Sequence, residues 1–332
     1  MKQQLGILGL LFAVGAATAM ANSAFLDSYN LGNVAVWSSL CIITSIGMAF
    51  VIITGGIDLS IGSAGGLIGC MLPFLLVSKG VHPVLAVAMV LTVSLGIGWL
   101  HGMLITKVRL QPFIVTLCGL LVYRSLARSL SGDTTLGFGN SYSDLRWLAT
   151  GKVPLFAGYQ LPVPFFIMLG VALLAAVFLN LTVFGRHLKA LGRNEQAARF
   201  SGINTDRMVI AAYMICSLLA GVGGILLALE INSLQPSSFN NSAELYAIAG
   251  AVLGGCSLRG GEGSILGVVI GATVIRVISN SINILGIPSQ WEDGIIGTVI
   301  LAGVVTDELV HRWAARRRVM SAGKDAPAPP AT

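Results

Sequence analysis

The sequence has very little charge. Only 10% of its 332 residues are Asp, Glu, Lys or Arg, whereas 55% are hydrophobic. A water-soluble domain carries about 25% charged residues, because its surface must be hydrated. The scarcity of charge therefore argues against a soluble globular protein and predicts an integral membrane protein. The 41 glycines fit that class, since small residues let helices approach closely in lipid.

Signatures of catalysis and nucleotide binding are missing as well. The sequence contains no G-x-x-x-x-G-K-[ST] phosphate-binding loop, no G-x-S-x-G nucleophile motif and no H-E-x-x-H metal motif. We therefore expect no catalysis and no bound cofactor in this chain. The net charge of +6 does not indicate nucleic acid binding, because the basic residues follow the pattern of membrane topology.

Metal ligands and paired cysteines are also scarce. The five cysteines all lie in or beside apolar runs, none forms a C-x-x-C pair, and the four histidines show no metal-binding spacing. We interpret the cysteines as small buried hydrophobic residues. No metal site is predicted.

Long apolar runs are what the sequence has in abundance. A helix needs about 20 apolar residues to cross a bilayer. The runs predict an all-α polytopic membrane domain over residues 1–311, with about ten spans. The predicted spans are 4–21, 34–54, 59–77, 84–105, 113–131, 161–183, 208–231, 244–257, 264–285 and 288–311. The run 244–257 is short, so some helices are expected to be broken or re-entrant.

Basic residues give this topology an orientation. With both termini in the cytoplasm, three Lys or Arg residues lie outside, three lie within spans, and the remaining 14 of the 20 lie in the cytoplasm. Positive residues in short loops stay in the cytoplasm, so the orientation with both termini inside is favoured. The cytoplasmic set is Lys2, Lys107, Arg109, Arg186, Lys189, Arg193, Arg199, Arg207, Arg259, Arg312, Arg316, Arg317, Arg318 and Lys324.

The ends of the chain and its longest external segment complete the organisation. The N-terminus imitates a cleavable signal peptide, but we predict a retained first span, because cleavage would disturb the charge bias. The segment 131–160 is predicted to lie outside. The Pro- and Ala-rich segment 312–332 is expected to be a basic, disordered cytoplasmic tail.

A glycine pattern occurs twice. The eight residues 55–62 and the eight residues 254–261 both read GG-x-x-L-x-x-G. Glycine pairs of this kind suit broken helices, whose freed backbone groups must be buried in protein or face a cavity. The match also allows a trace of internal duplication.

A polar island interrupts the apolar chain at Leu188–Val209, LKALGRNEQAARFSGINTDRMV. It is basic and favours helix, and burying its charges in lipid would cost several kcal/mol each. The island must therefore lie in water, and its charge places it in the cytoplasm. It offers a helical surface, within a loop at 184–207, to a soluble partner; a solvated linker is the alternative.

Four blocks of the sequence resemble a known family. The blocks GGIDLSIG (55–62), QPFIVTL (111–117), LGRNEQAARFSGI (191–203) and ELYAIAGAVLGGCSLRGGEGSILG (244–267) are similar to signature blocks of ribose-, xylose- and arabinose-type sugar permeases of ABC transporters. The wider family includes permeases for branched-chain amino acids. The resemblance implies an ABC importer permease fold in the bacterial inner membrane.

The resemblance also implies partners. These are a second permease chain, identical or related, a cytoplasmic ABC ATPase that binds ATP and Mg²⁺, and a periplasmic substrate-binding protein. The polar island then corresponds to the family's ATPase-coupling loop. The coupling residues implied are Arg193, Glu195, Gln196, Ala197, Ala198 and Gly202.

Asp58 is the sharpest candidate for the translocation path or gate. An aspartate beside a membrane helix is unfavourable unless it is paired or used. It precedes an apolar run, so it also fits an N-cap of the third span. Both interpretations stay open, and we favour the cap.

Five further residues are candidates for the path. Gln111 and Phe113 flank Pro112, although this triplet also reads as a helix start with proline in the first turn. Asn280, Asn283 and Gln290 cluster around the turn between the last two predicted spans, where amides suit an uncharged polyol. Interfacial anchoring explains them equally well.

The sequence departs from the family pattern at three positions. Tyr246 stands where aspartate is common, Arg259 replaces a small or polar residue, and Arg128 adds a charge near the outer end of its span. These differences leave the permease class intact but open the question of which solute is carried. Import of branched-chain amino acids is the nearest alternative. An ion-coupled secondary transporter would require paired carboxylates within the membrane, and a membrane enzyme would require a catalytic constellation.

The charge bias predicts which residues can be labelled from which side. Cysteine introduced at Arg193 should react with a membrane-impermeant maleimide only from the cytoplasm, and cysteine at Asp144 only from outside. Intact cells and inverted vesicles separate the two cases. Labelling of residue 193 in intact cells would overturn the ten-span topology.

Overall fold

This computed structural model describes residues 2–154, 160–303 and 305, and most of them are helical. The helices are α1 Lys2–Ala21, α2 Ser28–Ile53, α3 Ile61–Pro73, α4 Pro83–Thr106, α5 Pro112–Ser131, α6 Ser143–Thr150, α7 Val163–Leu181, α8 Val183–Arg193, α9 Glu195–Phe200, α10 Thr205–Ile231, α11 Ala243–Leu253 and α12 Ile265–Ile284. A π-helical turn, Phe74–Ser78, extends α3, and short 3-10 helices lie at Ser23–Leu26 and Ser289–Trp291.

Eight helices in the described part of the chain are long and apolar enough to cross a membrane. They coincide with eight of the ten predicted spans, and the all-α polytopic prediction is confirmed. The span predicted at 244–257 is the 11-residue helix α11. At about 1.5 Å per residue it covers roughly half of a 30 Å hydrocarbon core. Residues 292–303 are helical, as the last predicted span requires, whereas 304 and the segment from 306 onward lie outside the described residues.

Helix α2 lies at the centre of the molecule. Its most apolar 18 residues are 94% buried by the protein itself, the highest value among the eight spans. Helices α7, α10, α11 and α12 pack around it. A helix that is apolar on all sides is typical of such a central position.

Glycines set the distance between neighbouring helices. Along α4, Gly98 and Gly102 face the backbone of α10, where a methyl group would collide with Met214 and Ile210. Gly65 on α3 and Gly224 on α10 also meet backbone to backbone. Small residues at such spacing let van der Waals packing replace the hydrophobic effect, which is weak between helices in lipid.

Both glycine pairs of the repeated pattern end a helix. Gly55 and Gly255 adopt left-handed φ angles of 84° and 89°, and they follow α2 and α11. In each case the next N–H bonds to a carbonyl five residues back: Gly56 to Val51, and Cys256 to Ala251. This is the Schellman motif, which satisfies the last carbonyls of a helix. The two left-handed glycines, Gly55 and Gly255, are 200 residues apart. The two sequence patterns begin 199 residues apart, so they do not superimpose residue for residue.

Helix α3 begins beside the middle of α10, and α11 begins beside the start of α3. At Gly65 a methyl group would touch the carbonyl of Ala220, and the Gly62 Cα lies against the Glu244 carboxylate at the start of α11. Asn240 donates a hydrogen bond of 2.9 Å to the carbonyl of Gly62. The segment between α10 and α11 therefore enters the helix bundle, which is the re-entrant backbone expected from the short span.

The segment predicted to be external contains the only sheet in the described part of the chain. Strands β1 Lys152–Pro154 and β2 Gln160–Pro162 pair antiparallel, with Val153 opposite Leu161. An isolated bridge joins Leu136 to Leu234 beyond α10. Arg128 at the end of α5 donates hydrogen bonds to the exposed carboxylate of Asp133. These bonds hold the pKa of Asp133 below its usual range.

The glycine contact between α3 and α10 can be tested directly. Gly224→Ala should destabilise the protein by about 1–3 kcal/mol, because the added methyl group overlaps the Gly65 backbone. Gly96→Ala on α4 is the matched control, since nothing lies within 4 Å of its methyl position. Thermal unfolding in detergent should separate the two variants. Equal stability would show that this contact is not formed.

Candidate functional site

The polar island folds as two short helices. Thr182 caps α8 through a bond to the Gly185 N–H, and Asn194 then caps α9 by accepting a 2.9 Å bond from Ala197. After α9, Gly202 adopts a φ of 83°, and Ile203 N–H bonds the carbonyl of Ala198. Helix α9 thus ends in a Schellman motif at Gly202. The end of the helix bundle that carries α8 and α9 is called the coupling end below.

A network of ion pairs fixes α9 against the rest of the chain. Arg199 lies 3.2 Å from Glu195 within α9 and 3.3 Å from Asp206 at the start of α10. Asp206 also bonds Lys107, which follows α4, at 2.6 Å. These groups are exposed, so each pair contributes little energy alone. Their role is geometric, because they connect α9 to both α4 and α10.

A groove of about 610 Å³ lies beside this network. Glu195, Gln196 and Phe200 from α9 line one side, and Ile105 and Arg109 line the other. The Phe200 side chain is 91% exposed. A large apolar side chain presented to water at a groove is typical of a protein interaction surface.

The predicted coupling residues divide into three groups. Glu195 and Gln196 line the groove, and Ala197 is exposed beside them. Ala198 is only 4% exposed, so it supports α9 from within the chain instead of meeting a partner. Arg193 is exposed outside the groove, 3.9 Å from Glu262.

Helix α8 ends at a junction of three backbone segments. A methyl group on Gly192 would overlap the carbonyl of Ile53 at the end of α2 and the backbone of Gly261. Gly261 donates a 2.8 Å bond to that same Ile53 carbonyl. Helix α8 therefore touches both helix breaks with no side chain between them.

Asp58 lies between α2 and α3 in a buried polar cluster. Its Oδ1 accepts bonds from the Ser60 N–H at 2.8 Å and the Ser60 hydroxyl at 2.6 Å. Its Oδ2 lies 4.0 Å from Nδ1 of His101 on α4, and neither atom has a hydrogen-bond partner among the described residues. His101 Nε2 in turn bonds the hydroxyl of Tyr123 on α5 at 2.8 Å. The cluster connects the break between α2 and α3 to α4 and α5.

The cap interpretation of Asp58 needs correction. The N-cap position of α3 is occupied by Ser60, and Asp58 lies two residues earlier. Asp58 stabilises the turn before the helix, because its carboxylate accepts the N–H of the residue two positions on. One carboxylate oxygen has a local structural role, and the other faces His101.

The other predicted path residues do not converge. Gln111 is the N-cap of α5 with proline in the first turn, and Phe113 is 52% exposed on that helix. Asn280 forms a reciprocal amide pair with Asn30 on α2, at 2.7 and 3.1 Å. Asn283 and Gln290 are exposed. The structure assigns all five positions to a helix start, a helix contact or the surface.

Sequence reasoning missed two groups of residues. Phe200 and Asp206 shape the groove, and the spacing of α9 and α10 could have indicated them. A second cleft, at the opposite end from α9, is lined by Trp37, Tyr246 and Arg276. An arginine within an apolar span was the available signal for that cleft.

The bonds of Asp58 predict the outcome of two substitutions. Asp58→Asn retains an oxygen that accepts the Ser60 N–H, so the free energy of unfolding and solute uptake should stay near wild type. Asp58→Ala leaves that buried N–H unpaired and should lose about 1–3 kcal/mol of stability. Thermal unfolding and uptake, both normalised to membrane protein level, measure these effects, with exposed Asp144→Asn as control. Loss of uptake in a stable Asp58→Asn protein would instead place the carboxylate in the path or gate.

Comparisons with known proteins identify relatives over almost the whole chain. Residues 30–304 match the family described as branched-chain amino acid transport system, permease component. The chain is 36% identical to the ribose import permease protein RbsC of Escherichia coli (strain K12), over 92% of this chain and 94% of that protein. It is 37% identical to RbsC of Bacillus subtilis (strain 168), over 92% of each chain.

A further relative is named for the transport of a different sugar. The D-allose transport system permease protein AlsC of Escherichia coli (strain K12) is 32% identical, over 87% of this chain and 86% of that protein. No solved structure gives a significant match. The coverage and the eight spans agree with the four signature blocks and with the multi-pass fold. The chain therefore belongs to the branched-chain amino acid transport system permease component family of ABC transporters.

Proposed function

We propose that this chain is the permease subunit of an ATP-driven importer that carries a monosaccharide or a related polyol across the bacterial inner membrane. The relatives named for ribose, allose and xylose transport support the solute class. The chain itself performs no catalysis in this proposal. ATP and Mg²⁺ bind a separate ATPase subunit, and both termini of the permease face the cytoplasm.

The groove beside α9 carries the proposal for coupling. Its exposed Phe200 and the flanking Glu195 and Gln196 provide an apolar anchor with a polar rim, which is how many protein interfaces are organised. The ATPase would dock there. Movement of α9 would then reach α2 and the loop after α11 directly through Gly192, because these backbones are in contact.

The remaining partners follow from the same role. A second permease chain, identical or related, would complete the path, and a periplasmic binding protein would deliver the solute from the end opposite α9. Lipid surrounds the exposed apolar faces of helices such as α1, whose span is only 6% buried. Nucleic acid has no place in this assembly.

Import of branched-chain amino acids is the second candidate, because the matching family is described by that activity. Uptake assays that compare D-ribose, D-xylose and D-allose with L-leucine decide between the two. Saturable, ATP-dependent uptake of leucine and of none of the sugars would reject the monosaccharide proposal.

Docking at the groove predicts the effect of one truncation. Phe200→Ala should leave folding unchanged, because the side chain is 91% exposed. It should weaken ATPase binding by about tenfold or more, since a buried interface anchor contributes about 2 kcal/mol. Co-purification of the ATPase, uptake and thermal unfolding are the measurements.

The control for this variant lies at the same end of the molecule. Leu258→Ala truncates another exposed apolar side chain outside the groove. Glu195→Arg is a second test, because it reverses charge at the groove rim. Gly202 is unsuited, since its positive φ would strain any replacement. Normal ATPase recovery and uptake for both Phe200→Ala and Glu195→Arg would show that α9 is not the docking element.

A further inference from the structure

A second cleft opens at the end of the molecule opposite the coupling helices. It has a volume of about 250 Å³ and lies between α2, the last two turns of α10, the re-entrant segment, the start of α11 and α12. Pockets for drug-sized ligands hold about 300–1,000 Å³, so this one suits a smaller solute. The polar and aromatic lining includes Trp37, Thr44, Ser238, Asn241, Tyr246 and Arg276.

The guanidinium of Arg276 lies between two aromatic rings in this cleft. Its central carbon is 4.9 Å from the ring centroid of Tyr246 and 5.9 Å from that of Trp37. Planar guanidinium groups stack well on aromatic faces, which stabilise the charge without a carboxylate. Among the described residues, no carboxylate forms an ion pair with Arg276, and its buried Nε has no hydrogen-bond acceptor. Donors of this guanidinium are therefore available to a ligand.

Neighbouring contacts hold both sides of the cleft in place. Asn280, one helical turn after Arg276 on α12, pairs with Asn30 on α2. Asn30 is two turns before Trp37, so the amide pair and the Arg276–Trp37 contact lie along the same two helix faces. On the opposite wall, Asn241 Oδ1 accepts a bond of 3.3 Å from Arg124. Asn280 is thus a positioning residue, not a contact for the solute.

Acidic groups next to the cleft offset part of the positive charge of Arg276. The Tyr246 hydroxyl donates a 3.3 Å hydrogen bond to Asp293, so a carboxylate lies directly behind this lining residue. Hydroxyl groups can accept from the guanidinium and the amide without bringing a second negative charge. Apolar C–H faces of a sugar ring can lie against Trp37 and Tyr246.

We propose that this cleft is a binding subsite for an uncharged monosaccharide on its way through the permease, and that Arg276 is its central hydrogen-bond donor. The inference rests on the proposed function and adds the residues that would contact the solute. It also gives Tyr246 a role in place of the aspartate common in the family. Tyr246 presents a ring that stacks on Arg276 and faces the solute.

The test uses the complete transporter, with permease, ATPase and binding protein, reconstituted in proteoliposomes. The probes are radiolabelled D-ribose, D-xylose and D-allose. Arg276→Gln should lower the uptake rate about tenfold or more, which corresponds to the loss of one to two hydrogen bonds to the solute. The ATPase activity stimulated by the binding protein should stay within about twofold of wild type. Recovery of the complex and thermal stability should be unchanged, because none of these properties involves contact with the solute.

Three further variants sharpen the result. Arg276→Lys keeps the charge but loses the planar stack, so uptake should be intermediate. Tyr246→Phe keeps the ring and should retain most of the uptake, whereas Tyr246→Ala should not. Arg128→Gln is the matched control, because that arginine bonds Asp133 away from the cleft, and it should transport normally.

Each outcome decides the question. Wild-type uptake of the transported sugar by Arg276→Gln would overturn the subsite and leave the proposed function intact. An equal fall in uptake, ATPase stimulation and stability would make Arg276 a structural residue and would also overturn it. A wild-type transporter that carries leucine and none of the three sugars would reject the proposed function and this inference together.

Discussion

The backbone of a broken helix must satisfy its polar groups without water, and this constraint organises the whole molecule. Unpaired N–H and C=O groups in lipid cost several kcal/mol each, so a helix can end within the membrane only inside protein. Here α2 and α11 end in Schellman motifs, and the Ile53 carbonyl at the first break accepts the N–H of Gly261 from the second. The second break therefore satisfies a carbonyl of the first. The helices packed around α2 explain why it is almost completely buried.

That arrangement has a mechanical consequence. Gly192 at the end of α8 contacts Ile53 and Gly261 through backbone atoms alone, so no flexible side chain absorbs a displacement. Close-packed interiors transmit strain because they have few voids. A partner that moves the coupling helices would therefore move the ends of α2 and α11. The cluster around Asp58 continues this connection toward α4 and α5 through His101 and Tyr123.

The two clefts divide the proposed work between the two ends of the molecule. The groove beside α9 is rimmed by charge and presents one exposed aromatic side chain, which suits a protein surface. The cleft at the other end combines stacked aromatic rings with guanidinium and amide donors, which suits a small polar solute. Helices α2 and α10 extend from one end to the other. Both contact α8 at the coupling end, and both line the solute cleft. This common framework is a physical basis for coupling ATP hydrolysis to the movement of a sugar.

The sequence by itself determined the membrane class, eight of the spans, the short apolar run at 244–257 and the polar island at 188–209, because low charge, apolar length and a basic island are local properties. It also indicated the helix start at Pro112, where turn chemistry acts over a few residues. Only the tertiary structure decided that Ser60, not Asp58, caps α3, and that Asp58 faces His101 on α4. Likewise, the Asn30–Asn280 pair and the stacking of Arg276 on Trp37 join residues about 240 positions apart. Such contacts depend on how the helices pack around α2, and no local pattern in one sequence specifies that packing.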